Sequence, residues 1–215
     1  MSAERLLVVG FGAFPRVPIN PSGLLARRIA DSPRLKLLLG ARPDCRVLRT
    51  AYAAIGTELE PALAEAPDAV LMIGVAMRAR RIRVETRARN RANLFFPDAD
   101  GWLPPQLTLD WIGPAQRTSR QARAALIALR RHGLDAGPSR DAGAYLCNAT
   151  YYRALTEDRP ALFLHIPRLP DPGRPARHRM YRRARVVDAW TRAFVDVALI
   201  LLVQARLREW RCHPL

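Results

Sequence analysis

The chain has 215 residues with 49% hydrophobic content, enough to bury one sizeable core, and reads as one domain over 1–215. The longest apolar run near its C-terminus, "VALILLV" at 197–203, is far too short to cross a bilayer, and Cys45, Cys147 and Cys212 form an odd set without CxxC or metal-ligand spacing, which argues against a disulfide scaffold or a metal site. The net charge is +16, yet of 35 basic residues only Lys36 is a lysine; arginine spread along the whole chain fits a solvated surface better than a nucleic-acid groove.

In chain order, "RLLVV" (5–9) reads as a strand ended by Gly10, beginning too early for a signal peptide, so a reduced, cytoplasmic protein is expected. After a loop with glycine and proline, Asn20 and Pro21 are an N-cap and a first helical position. "CRVLRTAY" (45–52) reads as a strand and "GTELEPALAEA" (56–66) as a helix in which Pro61 fits only near the first turn. "DAVLMIGVA" (68–76) is the strongest buried strand. The arginine-rich stretch "RARRIRVETRARNR" (78–91), like "GRPARHRMYRRAR" (173–185), lacks the interleaved aromatics of a base-stacking platform. Residues 118–132 have helical spacing with Gly133 as the stop, "ALFLHIP" (161–167) is a further buried strand, and a long helix over about 183–211 closes the chain. Alternating strands and helices predict an α/β sheet covered on both faces.

"VVGFGAF" lacks the third glycine and the direct helix start of a dinucleotide loop, and no P-loop, zinc triad or GxSxG elbow is present. A cysteine nucleophile needs a base in reach and a group to orient that base. Cys147 sits where a glycine-centred turn enters a helix in "DAGAYLCNATYY" (141–152), and His165 ends a buried strand shortly after it. His132, His178 and His213 lie in an arginine-rich helix end, a basic loop and the tail. Glu85 is the only carboxylate between Asp68 and Asp98. The residues alone leave alternatives open: Cys147 as a small core residue, His165 as an imidazole satisfied by backbone, Glu85 as surface charge balance.

Four blocks, "GFGAFPRVPINPS" (10–22), "GVAMRARRIRVETRARN" (74–90), "AGAYLCNATYY" (142–152) and "LFLHIP" (162–167), together resemble pyroglutamyl peptidase I, a family of cysteine exopeptidases that remove an N-terminal pyroglutamyl residue. The resemblance implies a three-layer α/β/α sandwich with a mixed, mostly parallel sheet, no cofactor, a peptide substrate with a blocked N-terminus, no membrane or nucleic-acid partner, and a homo-oligomer, commonly a tetramer. By motif position it places a Cys-His-Glu triad on Cys147, His165 and Glu85, and a substrate wall on Phe11, Phe14 and Tyr145, with Val75 beside it. A thiol at a helix start feels the positive end of the dipole, which favours thiolate, and free N–H groups there suit an oxyanion.

The chain departs from the family pattern around the substrate. Pro15 and Arg16 stand where two glycines are usual, Val75 where a glutamine is common, and Met77, Arg78 and Ala79 in place of Gly-Gly-Arg. Phe95 replaces an arginine. These changes leave two other readings: the same chemistry on a different small acyl amide, or a catalytically weak arginine-rich binding module.

Overall fold

The computed structural model describes residues 4–14, 17–169 and 177–212, without the side chains at 177–182, 209 and 211–212. Six strands make one sheet: β1 (Leu6–Phe11), β2 (Asp44–Leu48), β3 (Ala69–Ala76), β4 (Ile82–Glu85), β7 (Ala136–Ser139) and β8 (Ala161–Pro167). β5 (Arg87–Arg89) and β6 (Gln116–Thr118) form a separate antiparallel pair. The strand order is β2-β1-β3-β8-β4-β7. All neighbours run parallel except β4 against β8, so the sheet is mixed and mostly parallel, as expected.

β1, β3 and β8 are apolar on both faces because both faces are covered. Leu6, Val8, Leu71, Ile73, Leu162 and Leu164 pack against α1 (Pro21–Ala30), α4 (Ala122–Arg131) and α6 (Arg177–Cys212). The alternate residues Leu7, Val9, Val70, Met72 and Phe163 pack on the opposite face with α3 (Glu60–Ala64) and α5 (Leu146–Ala154). The result is the three-layer α/β/α arrangement. α6 presents Val187, Trp190, Phe194, Val197 and Leu201 to the sheet, the three-and-four spacing of one helix stripe. Among the described residues no helix is long and apolar enough to cross a membrane.

Local chemistry explains most element ends. Asn20 accepts from the Ser22 N–H at 3.1 Å and Pro21 opens α1, as predicted. Gly10 serves close packing: a Cβ there would lie 2.6 Å from the Ser22 carbonyl oxygen and 2.8 Å from the Gly23 Cα, so α1 could not approach β1. α2 (Pro33–Leu39) was not anticipated; it is capped by Gly40 at φ 69°. The segment expected to be a plain helix over 56–66 instead winds as a π-helical turn over Ile55–Leu59 before α3, so that Pro61 falls in the first turn of α3. Thr118, the first residue of the expected helix at 118–132, is the last of β6, and α4 starts only at Ala122. Gly133 follows α4 at φ 70°.

Candidate active site

The carboxyl ends of β1, β3 and β8 open on a cavity of about 430 Å³, the usual place for a site in an open α/β sheet. In register, His165 of β8 lies opposite Gly74 of β3 on one side and Arg83 of β4 on the other. Strand alternation carries Gly74, His165, Arg83 and Glu85 to the sheet face that also holds α5. Cys147 is the second residue of α5, whose first-turn N–H groups have no partner within the helix.

The three residues predicted to act together are brought together. Glu85 is fully buried, and its Oε1 lies 2.8 Å from His165 Nδ1. The expectation of a surface carboxylate, one of the readings left open, does not hold at this position. Burial opposes protonation of His165, but the charge and hydrogen-bonding of Cys147 and the Glu85 carboxylate outweigh it and raise the imidazole to about 9. Arg83 Nε stands 3.5 Å from the same Glu85 oxygen, so the buried carboxylate has two cationic neighbours to offset its lost hydration. Glu85 Oε2 has no hydrogen-bond partner among the described residues.

Phe11, Phe14, Val75, Tyr145, Cys147 and His165 all line the cavity. Phe11 packs its ring 6.1 Å from that of Phe163. Tyr145 stands edge-on to Tyr52 at 5.9 Å, and its hydroxyl donates to the Pro97 carbonyl at 3.0 Å. Val75 reaches the cavity only from the strand end, since its side chain packs partly into the core of the opposite sheet face. Phe95 is 84% exposed and is not among the lining residues, so that departure does not touch the cavity. Pro15 and Arg16 lie outside the described residues, as do the side chains of His178, Cys212 and His213.

Four further residues shape the site without having been singled out. Asn148, fully buried, accepts from the Arg89 N–H and donates to the Arg89 and Arg91 carbonyls at 2.8–2.9 Å, fastening the start of α5 to β5. The Tyr151 hydroxyl donates to the Glu85 carbonyl at 2.9 Å. A Cβ on Gly74 would lie 2.7 Å from the Phe163 ring and 3.0 Å from Cys147 Sγ, so only glycine leaves room for the thiol. Arg83 donates to Ser139 Oγ and the Asp141 carbonyl, both at 2.8 Å, tying β4 to the loop that leads into α5. The alternation of "IRVE" carried the one available signal, since a strand there puts Arg83 and Glu85 on one face. Among the described residues no three His, Cys, Asp or Glu side chains cluster as a metal site.

A model of the pyroglutamyl peptidase family matches residues 4–174. The pyrrolidone-carboxylate peptidase of Streptococcus suis is 34% identical over 175 residues, covering 78% of this chain and 79% of its own. That of Chromobacterium violaceum is 34% identical over 171 residues, covering 78% and 80%. Among solved structures, the pyrrolidone carboxyl peptidase of Thermus thermophilus superposes with a TM-score of 0.73 at 28% identity over 91% of this chain and 99% of that one. The enzyme of Thermococcus litoralis gives 0.79 at 25% identity over 95% and 96%. With the family match spanning most of its length and the relatives covered along most of theirs, the chain belongs to the pyroglutamyl peptidase family.

Proposed function

We propose that this protein is a cysteine peptidase that hydrolyses the amide bond after an N-terminal pyroglutamyl residue, with Cys147 as nucleophile, His165 as acid and base, and Glu85 as the group that orients the imidazole. The observation that carries this reading is the buried Glu85–His165 contact of 2.8 Å beside the Cys147 thiol, opening on an aromatic-walled cavity. Cys147 Sγ gives its proton to His165 and attacks the pyroglutamyl carbonyl carbon, forming a C–S bond. The oxyanion is received by N–H groups at the start of α5. The amide C–N bond breaks as His165 delivers a proton to the departing nitrogen, which leaves as the free amine. Water then attacks the thioester, His165 takes its proton, and the C–S bond breaks as that proton passes to sulfur, releasing pyroglutamate and restoring the thiol. Glu85, held on the Nδ1 side, fixes the ring so that Nε2 serves the reaction, and it stabilises the imidazolium. Phe11, Phe14 and Tyr145 supply an apolar wall for the lactam ring, with Val75 at its edge.

The test is hydrolysis of pyroglutamyl 7-amido-4-methylcoumarin beside prolyl and acetyl analogues, in the native protein and in Cys147→Ala. Release of the fluorophore from the pyroglutamyl substrate alone, abolished in the variant with its fold intact, is expected. Iodoacetamide should also label Cys147 faster than Cys45, whose thiol burial pushes up. Hydrolysis that survives Cys147→Ala would refute the assignment of the nucleophile.

A further inference from the structure

Resting on that reading, we infer that the part of the cavity left over by the lactam ring binds a carboxylate on the residue that follows the scissile bond, held by Arg78 and Arg83. The favoured substrates are then pyroglutamyl peptides acidic at that position. Two sources share this chemistry: an acidic side chain, or the free α-carboxylate of a pyroglutamyl dipeptide.

Volume comes first. Cavities of about 300–1,000 Å³ hold drug-sized ligands, and at about 430 Å³ this one has room for more than a five-membered ring. The ring itself is neutral and suits the aromatic wall of Phe11, Phe14 and Tyr145. Its carbonyl can accept a hydrogen bond but it carries no charge, yet two guanidinium side chains, Arg78 and Arg83, border the same space.

These two cations are prepared differently. Arg83 is fixed: Nε and Nη2 engage Ser139 Oγ, the Asp141 carbonyl and Glu85. Its Nη1 has no hydrogen-bond partner among the described residues, and the side chain is 35% exposed. Arg78 stands on the turn after β3, closed by the Ala79 N–H donating to the Ala76 carbonyl at 2.9 Å. Exposed there, it makes no hydrogen bond or ion pair with the described residues. The one carboxylate among the described lining residues is Asp141, and its Oδ1 accepts from the Gly143 N–H of its own loop at 3.1 Å. A fixed donor edge and an exposed cation on one cavity are an arrangement that a planar carboxylate satisfies, because each guanidinium N–H pairs with a carboxylate lone pair.

The experiment compares kcat/KM for pyroglutamyl-alanine amide, pyroglutamyl-alanine with its free carboxylate, pyroglutamyl-glutamate amide and pyroglutamyl-lysine amide, by chromatography of released pyroglutamate. At low salt we expect an advantage of about tenfold for a carboxylate substrate over the alanine amide, as charge-assisted hydrogen bonds supply. It should shrink in about 0.5 M salt. Gain by the glutamate amide identifies a side-chain carboxylate, and gain by the free acid alone identifies a dipeptide terminus. Either supports the inference. Arg78→Met should cut the advantage, and Arg78→Glu should turn it toward the lysine amide. Rates for the alanine amide, the free acid and the glutamate amide all within about twofold of one another would overturn the inference while leaving the peptidase reading intact. An advantage unchanged in both Arg78 variants would overturn the role of Arg78. Absence of cleavage of every pyroglutamyl substrate, coumarin amide included, would overturn both readings together.

Discussion

Replacing Gly74 by alanine puts a methyl group between the Phe163 ring and Cys147 Sγ. The added Cβ would lie 2.7 and 2.9 Å from two atoms of the Phe163 ring and 3.0 Å from Cys147 Sγ. Normal carbon contacts are about 3.5–4.0 Å, so these are short by about 0.5–0.8 Å. Phe163 cannot swing aside: it is fully buried, with the His165 ring 4.7 Å away, Tyr151 at 5.6 Å and Phe11 at 6.1 Å. Overpacking of this kind costs about 1–3 kcal/mol, which for a chain of this size lowers Tm by roughly 3–10 °C. The thiol must also retreat, and because a misplacement of about 1 Å can cost on the order of 100-fold, kcat/KM should fall by about 10- to 100-fold. Thermal unfolding and hydrolysis of the pyroglutamyl coumarin amide measure the two effects separately. Adding Phe163→Leu to Gly74→Ala removes the ring clash and leaves the sulfur clash, so stability should return relative to Phe163→Leu alone while the rate stays low. A folded Gly74→Ala protein with the native kcat/KM would refute the argument that glycine makes room for the nucleophile.

Activity should fall as pH rises through about 9, where His165 loses its proton. Glu85→Gln removes a contribution that raises that imidazole, so the alkaline limb should move to lower pH and kcat should drop by about 10²–10⁴-fold; an unmoved limb would count against Glu85 as the orienting group. Asn148→Ala should cost about 2–4 kcal/mol by leaving the Arg89 and Arg91 backbone groups unpaired, read as a Tm lower by roughly 5–15 °C. Binding of duplex DNA should be weak and lost between low and physiological salt, as for a solvated arginine surface; tight binding that survives salt would favour the arginine-rich module.

Elements whose causes are local were legible from residue order alone. Asn20 and Pro21 start α1 because a cap and a prolyl φ act within one turn, and β1, β3 and β8 announce themselves as continuous apolar runs because both of their faces are covered. Cys147 at a helix start and His165 at a strand end were legible for the same reason. β4 and β7 were not. β4 alternates arginine and glutamate with isoleucine and valine, which reads as a solvated charge run until its polar face meets His165. β7 is the four residues "AGPS", tolerable as a strand only at the sheet edge, where Pro138 needs no donor. The sequence separation of 80 between Glu85 and His165 is closed by the antiparallel pairing of β4 with β8. Whether a carboxylate among arginines is surface balance or the buried partner of an imidazole is therefore a property of strand order. Sequence singled out the residues proposed to carry the chemistry; the tertiary structure decided which of them touch, because contact at that separation depends on sheet register and burial rather than on any local preference of the chain.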